Sequence, residues 1–279
     1  MDILSRLLAP IVSDTLGQPI VVENRPGATG TLTMAAVLSA PADGYTMMFT
    51  GSSYATIALL MRNLPFSLDE FTPLSRLTIG PTLLAVPSQL GVKTIAEFIA
   101  AAKAQPGKWS FGSSGTGTSV HLGGELFKMT AGLDLTHIPY RATPAIVTDL
   151  LEARIQMSVL GVADCRQYVL SGQLRGLALS HSERMPELPD LPTFAEAGYP
   201  NVRASNDFGI AVRAGTPAAI QARIEEAYRA AVRRPEIVQR LADMGLIVVG
   251  SSSAEFKQAL AADTARYAEV IRVANIKIE

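Results

Sequence analysis

Trp109-Ser110-Phe111, then Gly112-Ser113-Ser114-Gly115-Thr116-Gly117-Thr118, then a segment with Leu122, Leu126, Phe127 and Met129 at helical spacing and Gly132 at its end: this stretch decides the fold. A short apolar run, a glycine loop and an amphipathic segment in direct succession read as strand, loop and helix. The pattern repeats at once. Residues 136–139 read as a second strand, Tyr140-Arg141-Ala142 as a turn, and Thr143-Pro144 as the N-cap and first residue of another helix. Strand and helix in alternation imply an α/β fold with parallel pairing.

Toward the N-terminus the same reading holds. Ile3, Leu7, Leu8, Ile11 and Leu16 recur at helical spacing, and Gly17 stands where a C-terminal cap belongs. Residues 19–23 form a β-branched run that reads as a strand, residues 31–39 read as a helix and residues 45–50 as a strand, which predicts a strand-helix-strand unit with a parallel pair. Thr94 and Glu97 form a capping box before the next helix. No run of apolar residues forms a secretory signal before this helix, so the chain reads as starting inside a helix, with an upstream segment expected.

Toward the C-terminus, residues 155–160 and 174–179 read as further strands, and residues 185–192 as a proline-rich surface loop before a capping box of Thr193 with Glu196. Three helices in a row then follow, started by Thr216-Pro217, by Pro235, and by Ser252 with Glu255.

The composition excludes several functions. Of the 279 residues, 48% are hydrophobic and 18% charged, and a net charge of −1 with no basic tract argues against a nucleic-acid partner. The longest uncharged stretch, residues 44–61, is broken by Gly51, Ser52, Ser53 and Thr56 and is too polar for a membrane span. Cys165 is the single cysteine, which rules out an internal disulfide and leaves a buried, inert thiol.

The glycine loop is the leading local candidate for a site, because backbone N–H groups at a helix N-terminus favour an anion. It matches neither the P-loop nor the dinucleotide fingerprint, and reads equally as a plain tight turn. Arg141, at the carboxyl end of a strand, is placed to clamp a carboxylate or else to sit in a surface turn. His121 and Glu125, one helical turn apart, lack a third metal ligand, and His137 and His181 have no catalytic partner at recognisable spacing. No metal, cofactor or covalent chemistry is therefore expected.

Several segments together resemble one family, the Bug-type receptors of tripartite tricarboxylate transporters. Val22-Glu23-Asn24-Arg25-Pro26-Gly27-Ala28, Asp43-Gly44-Tyr45-Thr46, the loop 113–118, His121-Leu122, Gly124-Glu125-Leu126-Phe127, His137-Ile138-Pro139-Tyr140, Leu188-Pro189-Asp190-Leu191-Pro192-Thr193 and Ala214-Gly215-Thr216-Pro217 follow the family in order. The resemblance implies a periplasmic binding protein, type II-like: two α/β lobes, residues 1–103 with 212–279 and residues 104–211, with doubly wound sheets joined by two crossover strands and a first strand absent from this sequence. It implies a monomeric, non-enzymatic receptor that holds a small carboxylate in an interlobe cleft for a membrane permease. A ligand-sensing protein without a permease and an uncharacterised α/β enzyme are the alternatives.

The ligand contacts are expected at Ser52 and Ser53 in the first lobe, at Ser113, Gly115, Thr116, Gly117, Thr118, Tyr140, Arg141 and Ala142 in the second, and at Asp207. Three departures from the family pattern bear on specificity. Tyr140-Arg141-Ala142 replaces a Tyr-Lys-Gly turn and keeps its positive charge. An acidic residue suited to amino-acid ligands is replaced near Leu160, which favours a plain carboxylate. Asp207 stands where the family often has Trp, and would repel an anion unless protonated or paired with a cation such as Arg141.

Overall fold

In the computed structural model, which describes residues 1–25, 27, 30–61 and 63–277, the chain opens with helix α1, Asp2–Leu16. Leu4, Leu8 and Val12 are buried along its one apolar stripe. Gly17 ends it in the left-handed region at φ 68°, its N–H donating to Ser13 O at 2.9 Å, as the sequence predicts. Helix α2 spans Thr31–Ser39, strand β1 Met47–Thr50 and the short helix α3 Ile57–Leu60. Strand β2, Phe71–Pro87, is followed by α4 (Ile95–Lys103), β3 (Trp109–Ser113), α5 (Ser119–Ala131), β4 (Leu135–Pro139) and α6 (Thr143–Leu151). Then come β5 (Ser158–Gly161), α7 (Val162–Leu170), β6 (Leu174–Ser180), β7 (Ser205–Arg213), α8 (Ala218–Val232), α9 (Pro235–Asp243), β8 (Ile247–Val248) and α10 (Ser253–Val273).

The chain divides into two units: Met1–Ile79 with Asp207–Ala268, and Gly80–Asn206 with residues 269–277. Strands β2 and β7 and helix α10 carry the chain from one to the other, and the divisions inside β2 and β7 lie earlier in the chain than the 103/104 and 211/212 boundaries expected from the sequence.

In the first unit, β1 pairs antiparallel with β7, Met47 opposite Val212 and Thr50 opposite Gly209, and β8 pairs antiparallel with β2. Leu4, Leu8 and Val12 of α1 pack with Leu74, Leu77, Ile210, Tyr228 and Leu241 into one cluster. Residues 19–23 do not form the predicted strand, and the parallel pair built on it is absent among the described residues. Their β-branched side chains favour an extended backbone, but a strand also needs a ladder partner, and β1 takes its partner from β7. Val21 is left 80% exposed beside a cavity of about 860 Å³ that Ile20, Val37, Met47 and Ile220 also line.

In the second unit, β3 and β4 are parallel and in register, Trp109 opposite Leu135 and Ser113 opposite Pro139. The distal half of β2 runs antiparallel to β5 and β6. Phe98, Trp109, Phe111, Phe127 and Phe194 build one core cluster, while Ile146, Leu150, Leu160 and Leu179 build another. The proline-rich loop 185–192 is less superficial than its composition suggests, because Met185, Leu188 and Leu191 are buried in that second cluster. The Thr193 and Glu196 box forms reciprocally, at 2.7 and 3.1 Å, and closes a turn. Cys165 is fully buried, its thiol raised by burial and by the Asp164 charge.

Candidate functional site

Because β3 and β4 are parallel and in register, their carboxyl ends lie side by side, and the loops that follow leave from one edge. Tyr140 N–H donates to Ser113 O at 2.8 Å and locks the two exits together. Ala142 is the N-cap of α6, with Thr143 and Pro144 in its first turn, one residue earlier than the sequence implied, and it supplies no side-chain cap.

The glycine loop turns on Gly115 at φ 119° and Gly117 at φ 78°, conformations that side chains rarely tolerate. Ser113 Oγ donates to Gly115 O at 3.1 Å, and Thr118 Oγ1 donates to the same carbonyl at 2.8 Å. Thr118 also caps α5, accepting from His121 N–H at 3.3 Å. Among the described residues, the amides of Ser114, Thr116 and Ser119 meet no acceptor, so these three donors stand beside two helix N-termini. Arg141 is exposed and makes no ion pair or hydrogen bond among the described residues. Arg141 and the loop 113–118, singled out separately by sequence, are thus brought to the same sheet edge.

Two predicted contacts turn inward. The Gly117 N–H donates to His121 Nδ1 at 3.0 Å and is already used. The Tyr140 hydroxyl donates to Asp149 at 2.6 Å, so both Tyr140 donors bond within the protein. His137 does have a neighbour that its sequence spacing did not announce, since its Nε2 lies 2.7 Å from Ser113 Oγ. This is not a hydrolytic dyad. Ser113 is fully buried, and burial, with Lys128 nearby, lowers His137 to about 4, a weak base.

In the first unit, Ser52 and Ser53 open a short 3₁₀ turn after β1, and Ser52 Oγ accepts from Asp207 N–H at 2.9 Å. The Asp207 carboxylate forms an ion pair with Arg76 of β2. Pairing thus offsets the predicted repulsion, with Arg76 rather than Arg141 as the cation. Arg76 escaped sequence reasoning, although a lone charge inside the apolar run of β2 was a signal.

The chain matches the family model for the tripartite tricarboxylate transporter family receptor over residues 4–276. It belongs to that family. Among curated relatives, the receptor is 32% identical to the protein BugT of Bordetella pertussis over 282 residues, covering 100% of this chain and 86% of that one. Among solved structures, it superposes on the R. palustris protein Rpa4515 with adipate at a TM-score of 0.84 and 30% identity, covering 99% of this chain and 93% of that one. It also superposes on MatC from Rhodopseudomonas palustris with bound malate at a TM-score of 0.80 and 27% identity, covering 97% and 94%. The receptor has the periplasmic-binding-protein fold of the Bug type.

Proposed function

We propose that this receptor binds a small organic carboxylate at the edge formed by β3 and β4, with the amides of Ser114, Thr116 and Ser119 and the guanidinium of Arg141 as donors. The observation that carries this reading is the set of donors at the edge: three amides that meet no acceptor among the described residues, two helix N-termini and a guanidinium that has no ion pair among the described residues. Adipate and malate in two relatives support the ligand class. The receptor acts in the periplasm as a monomer and presents its ligand to membrane permease subunits, performing no chemistry.

Titration calorimetry against adipate, malate and a panel of C3 to C6 mono- and dicarboxylates, with a neutral diamide as control, tests the reading. Saturable binding of a carboxylate and not of the diamide is expected. Heats from none of the acids, or equal heats from the diamide, would refute it.

A further inference from the structure

Behind the glycine loop lies a pair of imidazoles that no functional assignment uses. His121, on the first turn of α5, and His137, opposite Phe111 in the β3–β4 register, stack with centroids 3.8 Å apart and planes 21° from parallel. Phe111 continues the stack, 6.1 Å from His121 and 5.0 Å from His137. His121 is 3% exposed.

Each ring grips a different glycine of the loop. His121 Nδ1 accepts the Gly117 N–H, which puts its own proton on Nε2, the atom 3.8 Å from Glu125 Oε1. Ser113 Oγ lies 3.1 Å from the Gly115 carbonyl and shares a 2.7 Å hydrogen bond with His137 Nε2. The loop is therefore held at Gly115 through Ser113 and at Gly117 directly. His121 must be neutral for this, since once protonated it has no lone pair for the Gly117 N–H. The groups facing the pair agree: Glu125 is committed to Lys128 at 2.7 Å, and the Lys128 ammonium lies 5.7 Å from the Phe111 ring, disfavouring further positive charge.

We propose that His121 and His137 are positioning residues that aim the free amides of Ser114, Thr116 and Ser119 at a carboxylate by fixing the two left-handed glycines between them. The inference rests on the carboxylate reading of this edge and adds the residues that determine its geometry. By spending the Gly117 N–H and the Gly115 carbonyl internally, the pair fixes the backbone from which the amides of Ser114, Thr116 and Ser119 project, and those amides favour an ionised carboxylate over a neutral amide.

The test separates acceptor chemistry from bulk. In H121F the ring stack is retained and the acceptor is lost; in H121N the amide oxygen sits where Nδ1 did. Amide hydrogen exchange at Gly117 is expected to quicken roughly tenfold in H121F, as loss of one hydrogen bond implies, and to return to the wild-type rate in H121N. Adipate and malate affinities are expected to follow, weaker by about tenfold in H121F and restored in H121N. Unchanged Gly117 exchange in H121F overturns the proposal, and so does equal weakening in both variants, which would mean that any loss of the ring suffices. If wild-type protein binds neither acid, the carboxylate reading fails, and the exchange comparison alone decides whether the pair positions the loop.

Discussion

Asp207, the first residue of β7 to belong to the first unit, forms an ion pair with Arg76 of β2, with only 14% and 17% of the two side chains exposed. Asp207 N–H donates to Ser52 Oγ as well, so a single residue ties β7 both to β2 and to the turn after β1. The aspartate is the counter-ion of a cation that β2 has already buried.

Removing one partner strands the other charge out of water. Asp207→Ala is expected to destabilise the fold by about 3 kcal/mol, whereas the double replacement Arg76→Met with Asp207→Leu recovers most of that loss, because a neutral pair of similar volume needs no compensation. Thermal denaturation of the single and double variants checks this. A double variant no more stable than Asp207→Ala would mean that the pair is not the source of the loss.

Arg141 presents the opposite case, exposed and unpaired among the described residues. Arg141→Met is expected to leave the melting temperature unchanged and to weaken carboxylate binding by roughly tenfold or more, the worth of one charge-assisted hydrogen bond. Calorimetry with adipate on both proteins checks it. Equal affinity would place the ligand's charge elsewhere.

The α/β class and the parallel pair β3–β4 were legible because their signals are local: alternating runs, glycines at turns, and caps such as Gly17 and Gly132. The loop and Arg141 were legible for the same reason, each following a strand that the sequence announces. What stayed hidden depends on partners distant in the chain. Residues 19–23 read as a strand because extended propensity is local, but pairing is not. The stack of His121 on His137 joins positions sixteen apart through the β3–β4 register, and the pairing of Arg76 with Asp207 spans 131 positions. No spacing rule reaches that far. Residues 26, 28 and 29 of the family-like segment lie outside the described residues.

Gly124 carries a packing prediction. A Cβ there would meet the Phe111 ring at 2.5 Å, and Phe111 is fully buried within the stack that backs the ligand loop. Gly124→Ala is expected to cost about 1–3 kcal/mol, since a tightly packed ring has no open rotamer to retreat into. Chemical denaturation should show a lowered midpoint at unchanged slope, and a variant as stable as wild type would show that the ring yields.

The histidine pair makes stability depend on acidity, with a definite sign. Burial, reinforced by the charges of His137 and Lys128, lowers His121 to about 3, and burial with Lys128 lowers His137 to about 4, against an ordinary value of 6.5. Between the ordinary and the lowered values the unfolded chain takes up protons that the folded chain refuses. Unfolding therefore grows easier as pH falls below about 6.5, by up to roughly 1.4 kcal/mol per pH unit for buried His121 and by less for half-buried His137, and the trend from His121 ends near its folded value. His121→Asn removes one titrating group, so its stability curve is expected to be flatter than the wild-type curve between pH 6.5 and 4. Urea midpoints taken at half-unit intervals across that window check the difference. Parallel curves for the two proteins would show that His121 is not the group whose protonation opposes folding.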